Sequence, residues 1–238
     1  MSEFKPDYYD DEYYRKRNYS DLDPYLKFLL LDALNIGLNK RIRILDIGCG
    51  TGIYLNFLKE MGFVAYGIDF SIPALKISKQ IQASATKIPF KNDTFDFILS
   101  AHLIEHLESN KMQEMLNESQ RVLKPGGKIF LLTPNGWCLG KFVLGKDWFK
   151  DPSHINIYNP KKIKNVLKKN QFQDIKLTHR IPFNLQKEEQ NKFIISYYGL
   201  DKLFNKFPIL QDLMFFFITS TLLAYFRDVI YVTAEVKK

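Results

Sequence analysis

Residues 44–52 read Ile44-Leu45-Asp46-Ile47-Gly48-Cys49-Gly50-Thr51-Gly52, an apolar run carrying one acid that breaks into three alternating glycines. Glycines in that pattern let the backbone reach positive φ and let a ligand approach with no Cβ in the way. The run ends a strand predicted over Arg41–Ile47 and precedes a helix predicted over Tyr54–Glu60, the setting a cofactor loop requires. A helix starting there turns free N–H groups and the positive end of its dipole toward an anionic group. The alternation continues outward: strand Val64–Ile68, helix Ser71–Gln82, strand Phe95–Ser100, helix Ser109–Leu123, strand Lys128–Thr133. Asn159 as N-cap with Pro160 behind it opens a helix to Asn170, and Phe172–Leu177 and Asp228–Glu235 read as closing strands. Strands alternating with helices predict one doubly wound α/β domain, its mostly parallel sheet covered on both faces.

Asp69 ends the second strand in Gly67-Ile68-Asp69-Phe70-Ser71, seventeen residues after Gly52. An acid at that spacing can accept hydrogen bonds from both hydroxyls of a ribose; Ser71 competes with it for the N-cap of the next helix. Further on stand Ser84-Ala85-Thr86-Lys87-Ile88-Pro89-Phe90, then Phe95-Asp96-Phe97-Ile98-Leu99-Ser100, then Arg121-Val122-Leu123-Lys124-Pro125-Gly126-Gly127-Lys128. Pro125-Gly126-Gly127 reads as a helix stop and tight turn.

Taken together, these stretches resemble the class I S-adenosylmethionine (SAM)-dependent methyltransferases, with a likeness running from Arg43 to about Leu177. Residues 44–52 match the common form of that family's motif I at every position. The resemblance implies a Rossmann-like seven-stranded sheet and SAM as cofactor, with S-adenosylhomocysteine (SAH) as product. It also implies site residues. Gly48, Cys49 and Gly50 would hold the methionyl part, Asp46 would organise its amino group, and Asp69 would hold the ribose. Phe70 would pack beside the adenine, Ser84 and Ala85 would meet its edge, and Ser100 and Ala101 would line the pocket. Ser84 departs from the family, which usually has Asp there; a hydroxyl still accepts a hydrogen bond.

Candidate chemistry lies in two histidine segments. His102-Leu103-Ile104-Glu105-His106 spells the H-x-x-E-H of inverted zincins. Its place after the fourth strand instead resembles the family's pocket-lining S-x-x-x-E-H-L. Ubiquinone-type O-methyltransferases use a similar Glu-x-x-Glu-His to hold a divalent metal, but His102 replaces the first acid here, and no metal is assigned. His154, in Asp151-Pro152-Ser153-His154-Ile155, resembles the D-P-[ST]-H of small-molecule methyltransferases. An oxygen nucleophile benefits from a base poised near neutral pH, which makes His154 the first candidate and His106 the second. The amino-methylating D/N-P-P-[YFW] motif is absent after the fourth strand, and Ile53 breaks the G-x-G-x-x-G of a nicotinamide site.

A chain of 238 residues with 46% hydrophobic and 25% charged residues suits one large α/β domain. Two cysteines, Cys49 and Cys138, make neither a metal pattern nor a disulfide framework, and the acidic, aromatic start is unlike a secretory or transit signal. Cytoplasmic residence is the expectation, with membrane association as a variant of it. The net charge is +8, its excess lysines concentrated in Arg121–Lys192. Lys161, Lys162, Lys164, Lys168 and Lys169 read as one solvated helix face, and DNA is not an expected partner. Residues 1–40 read as a helical arm, whose Tyr8, Tyr9, Tyr13, Tyr14 and Tyr19 either pack on the domain or close over the cofactor. Residues 41–238 form the catalytic domain. Within them, 181–226 reads as a helical cap inserted before the last strand, with the uncharged run Leu213–Phe226 too short to span a bilayer. The expected activity is methylation of an oxygen on a small or amphipathic acceptor, lipid-, quinone- or sugar-like, by a monomer or homodimer. The alternatives are RNA or protein methylation, and a non-catalytic SAM-binding or membrane-associated subunit.

Overall fold

The computed structural model describes residues 9–16, 22, 24–34, 41–137, 153–177 and 229–238. The expectations for 181–226, for Tyr8, Tyr19, Cys138, Asp151 and Pro152 lie outside the described residues.

Seven strands form one sheet: β1 (Arg43–Ile47), β2 (Val64–Asp69), β3 (Ile81–Gln82), β4 (Phe95–Ala101), β5 (Leu123–Pro134), β6 (Phe172–Leu177) and β7 (Val229–Val236). Their order is β3-β2-β1-β4-β5-β7-β6. Six run in the same direction, and β7 alone is reversed, antiparallel to β5 on one side and β6 on the other. The helices are α1 (Asp11–Lys16), α2 (Pro24–Leu34), α3 (Ile53–Glu60), α4 (Ile72–Ser78), α5 (Ser109–Val122) and α6 (Pro160–Lys169).

Strand alternation sorts the core into two layers. Leu45, Ile47, Ile98, Ile129 and Leu131 face Met112, Met115 and Leu116 of α5 and Ile163 and Leu167 of α6. Ile44, Phe97, Leu99, Phe130 and Leu132 face Leu29, Leu30 and Leu34 of α2 and Leu55 and Leu58 of α3. With both faces buried, β1 and β4 read as nearly unbroken apolar runs. Helix α2 thus packs its buried leucines on this face of the sheet. Asn159 caps α6 by accepting from Lys162 N at 2.8 Å, and the five lysines around that helix are solvent-exposed as expected.

Three elements depart from the sequence reading. The helix expected over Ser71–Gln82 ends at Ser78, where Lys79 turns left-handed (φ 53°) and frees Ile81–Gln82 to pair with β2. Pro125-Gly126-Gly127 lies inside β5 and not before it. That strand pairs Leu123 with Phe95, bulges, and resumes with Lys128 opposite Phe97. Asp96 holds this corner, accepting from Arg43 N at 2.8 Å and from Lys124 Nζ at 2.7 Å. Its place beside Phe95 therefore has a structural cause.

The strand order reverses between β1 and β4, so a crevice opens at their carboxyl ends, where open α/β sheets bind ligands.

Candidate active site

The glycine loop leaves β1 at this crevice. Gly48 N and Cys49 N both donate to Ile68 O, at 2.9 and 3.0 Å, which ties the loop to the end of β2. Gly50 N donates to Asp69 Oδ2 at 2.8 Å, and Ser71 N to Asp69 Oδ1 at 2.7 Å. Ser71 is the cap of α4, accepting from Ala74 N. Gly50 holds φ 51°, and a Cβ there would meet none of the described residues within 4 Å. Gly67 is the opposite case. A Cβ there would sit on Leu55 Cδ1 and 2.8 Å from Cys49 Sγ. Only glycine lets α3 and the loop lie this close to β2. The Cys49 side chain is itself core, with its thiol pushed up by burial first and then by Asp46 and Asp69.

Asp46 stands on β1 between Gly67 and Leu99, and is 1% exposed. Neither of its carboxylate oxygens has a hydrogen-bond partner among the described residues. Burial, then the Asp69 charge, raise its carboxyl well above the usual range. Burial also raises Asp69, against the backbone N–H groups of Ser71, Gly50 and Phe70 that favour its charge. Phe70 is 53% exposed, and Ser84 and Ala85 are half-buried on the loop after β3. The Ser84 hydroxyl is engaged locally, 2.8 Å from Thr86 Oγ1 and accepting from Thr86 N at 3.2 Å. Ser100 is buried at the end of β4, its Oγ without a partner among the described residues, and Ala101 beside it is half-buried.

After β4 the chain turns through His102 (φ 53°) into a single 3-10 turn, Ile104–His106. Glu105 is buried there. Its Oε1 lies 3.2 Å from His102 Nδ1, its Oε2 accepts from Thr133 Oγ1 at 3.0 Å, and its carbonyl accepts from Ile155 N and Asn156 N. Burial would push Glu105 up, but the hydrogen bond and charge of His102, with the charge of His106, hold it below its usual value. Burial first, and then the same carboxylate, push Tyr158 up to about 12. His106 Nδ1 lies 3.1 Å from Ser153 O, 3.0 Å from Ser153 Oγ and 3.0 Å from Tyr9 Oη. The His154 ring sits 4.8 Å from that of His106. The two candidate bases therefore share one site.

Glu105, His106 and His154 offer ligand atoms within 4.8 Å of one another. Two atoms bound to one zinc-sized ion lie no more than about 4.2 Å apart. The trio would have to contract to hold one.

The arm meets this site. Tyr9 Oη reaches His106, while Tyr9 O accepts from Ser71 Oγ at 3.1 Å. One residue thus bridges the acid end of β2 and the histidine pair. Tyr14 is half-buried beside Ser71 and Asp69, and burial raises its hydroxyl. Sequence reasoning missed Thr133 and Tyr158, whereas Ser153 stood in the Asp-Pro-Ser-His stretch and Tyr9 in the tyrosine-rich arm.

A glycine loop at the switch point, an acid closing β2, and an antiparallel β7 beside β5 define a class I SAM-dependent methyltransferase. The chain belongs to the family whose model is described as a methyltransferase domain, which matches residues 14–177. It is 35% identical over 149 residues to an uncharacterized protein of Methanocaldococcus jannaschii, covering 58% of this chain and 68% of the relative. A ubiquinone biosynthesis O-methyltransferase of Bartonella tribocorum is 26% identical over 148 residues, 54% of this chain and 59% of that one. The chain thus spans about two thirds of the first relative and less of the second. Among solved structures, a SAM-dependent methyltransferase from Archaeoglobus fulgidus is similar with a TM-score of 0.63 at 20% identity, covering 95% of this chain and 100% of that one. SAM is the methyl donor. No helix of the described residues is long and apolar enough to cross a membrane.

Proposed function

We propose that this methyltransferase methylates an oxygen of a small or amphipathic acceptor, with His106 as the general base. SAM supplies a methyl group on a sulfonium, so the chain must hold the donor, align the acceptor and take one proton.

The residues present fit that donor. Asp46, a buried carboxylate with no partner among the described residues, answers the ammonium of the methionyl part. Gly48, Cys49 and Gly50 offer backbone, with no described residue over Gly50. Asp69 takes the ribose: it closes β2 at the crevice, where the backbone N–H groups of Ser71, Gly50 and Phe70 favour its charge. Phe70 packs beside the adenine, and Ser84 and Ala85 meet its edge. Ser100 and Ala101 line the methyl-bearing end, where the Ser100 hydroxyl is buried and partnerless among the described residues.

The observation that carries the base assignment is the 3.1 Å approach of His106 Nδ1 to Ser153 O. A carbonyl only accepts, so Nδ1 holds the hydrogen and Nε2 keeps the lone pair that takes the acceptor's proton. Glu105, ionised nearby, stabilises the imidazolium that results. His154 is the alternate base in the same site. The named relative supports an oxygen acceptor of quinone-like chemistry.

The test is transfer of labelled methyl from SAM to fractionated cell extract and to a panel of phenols, carboxylic acids and lipids. His106→Ala is expected to lower kcat by about 10²–10⁴-fold, the usual contribution of a positioned base, with SAH affinity unchanged. Full activity in His106→Ala beside an inactive His154→Ala would move the base to His154. A product methylated on nitrogen would reject the oxygen reading.

A further inference from the structure

We infer that Glu118 and Arg121, on the last turn of α5 and away from the reacting atoms, are the positioning pair that sets the adenine side of the SAM pocket. The inference rests on the reading that Ser84 and Ala85 meet the adenine. The segment from Ala83 to Asn92 has no helix, and its only pairing is a bridge between Ser84 and Lys87, so its shape must come from elsewhere. One end is tied to the ribose acid, with Ala83 N donating to Asp69 O at 3.0 Å. The other end is held by α5.

Both backbone groups of Ile88 are captured. Its N–H donates to Glu118 Oε2 at 2.7 Å, and its carbonyl accepts from Arg121 Nη2 at 2.8 Å. Arg121 Nη1 goes on to Phe90 O at 2.8 Å and Asn92 Oδ1 at 3.0 Å. Nε and Nη2 of Arg121 meet the two Glu118 oxygens at 2.7 and 2.9 Å. That accounts for all five guanidinium donors. A lysine has no such fork and cannot span Glu118, Ile88 and Phe90 together. The side chains lock the same segment. Ile88 is buried, and Phe90 sits edge-on to Tyr66 and Phe95 with centroids 5.7 and 4.9 Å away. Ile88 lies three residues past Ala85, so a shift at the clamp displaces the adenine contacts. Arg121 opens the Arg-Val-Leu-Lys-Pro-Gly-Gly stretch, which the sequence alone assigned to the fold and not to chemistry.

The test compares titration with SAH and with S-inosylhomocysteine, which differ only in the edge of the base. Wild type is expected to prefer SAH by about tenfold or more, the scale of one buried hydrogen bond lost. Glu118→Ala and Arg121→Lys are expected to lower SAH affinity about tenfold and to shrink that preference. Glu118→Gln serves if the alanine variant does not fold, since its amide faces the guanidinium and breaks the pair. Ser84→Ala in the same titration reports the adenine contact itself. A preference in wild type that survives in the clamp variants would overturn the inference while leaving the adenine assignment intact. Equal losses for both ligands would make the pair a plain scaffold, and overturn it too. No preference in wild type would remove the Ser84 and Ala85 assignment, and the inference with it.

Discussion

Asp46 is a buried carboxylate whose proposed ligand role carries a cost in stability. Burial and the neighbouring Asp69 raise its carboxyl, so in the free protein ionising it costs folding energy. Because its folded pKa lies above the ordinary value of about 3.9, this group's stabilisation is greatest at low pH. It is lost as pH rises toward the raised value. Asp46→Asn should therefore flatten that fall in melting temperature for the free protein. SAH carries an ammonium that favours the carboxylate, so binding should release protons from wild type and fewer from Asp46→Asn. Calorimetry in two buffers of different ionisation enthalpy measures this, and identical proton release from both proteins would contradict the assignment. The same scale explains what the sequence concealed about the histidines. Resemblance to family segments brought His106 and His154 forward as candidates, and the proposed choice of His106 rests on the Ser153 carbonyl against its Nδ1. That contact joins residues 47 positions apart and leaves no local signal.

At the scale of elements, the close approach of α3 to β2 depends on Gly67. An added methyl would collide with Leu55 and Cys49, and overpacking of this kind costs about 1–3 kcal/mol. Gly67→Ala is expected to lower the melting temperature by about 2–4 °C per kcal/mol lost, for a chain of this length. SAH affinity should fall with it, because Cys49 and Gly50 belong to the displaced loop. Adding Cys49→Ala should recover part of both losses; a Gly67→Ala protein that melts and binds like wild type would show that the layer yields freely. Elements with a strong period were legible: β1, β4, α5 and α6 lie within a few residues of their sequence positions. The short β3 was not, because two exposed residues carry no alternation and are placed by pairing with Ile68 and Asp69. The β5 bulge was hidden for another reason. Pro-Gly-Gly reads locally as a turn, and only pairing with Phe95 and Phe97 on both sides makes it part of a strand.

Over the whole molecule, the crevice between β1 and β4 gathers what the sequence scatters. The glycine loop, the acid of β2, the loop after β3 and the turn after β4 meet at one sheet edge, with Tyr9 of the arm across them. The stretches proposed to hold the donor lie at one end of the sheet because each follows its own strand. The histidine cluster proposed for the acceptor was less legible, because it joins the arm, the 3-10 turn and Ser153, which no period connects. The most direct test of the account is calorimetric titration of SAH into wild type and Asp69→Ala. The account predicts saturable binding by wild type and a loss of about 1–3 kcal/mol in the variant, the scale of leaving bound hydroxyls unpaired. Absence of binding at high micromolar SAH, or equal affinity in Asp69→Ala, would contradict a SAM site at this crevice.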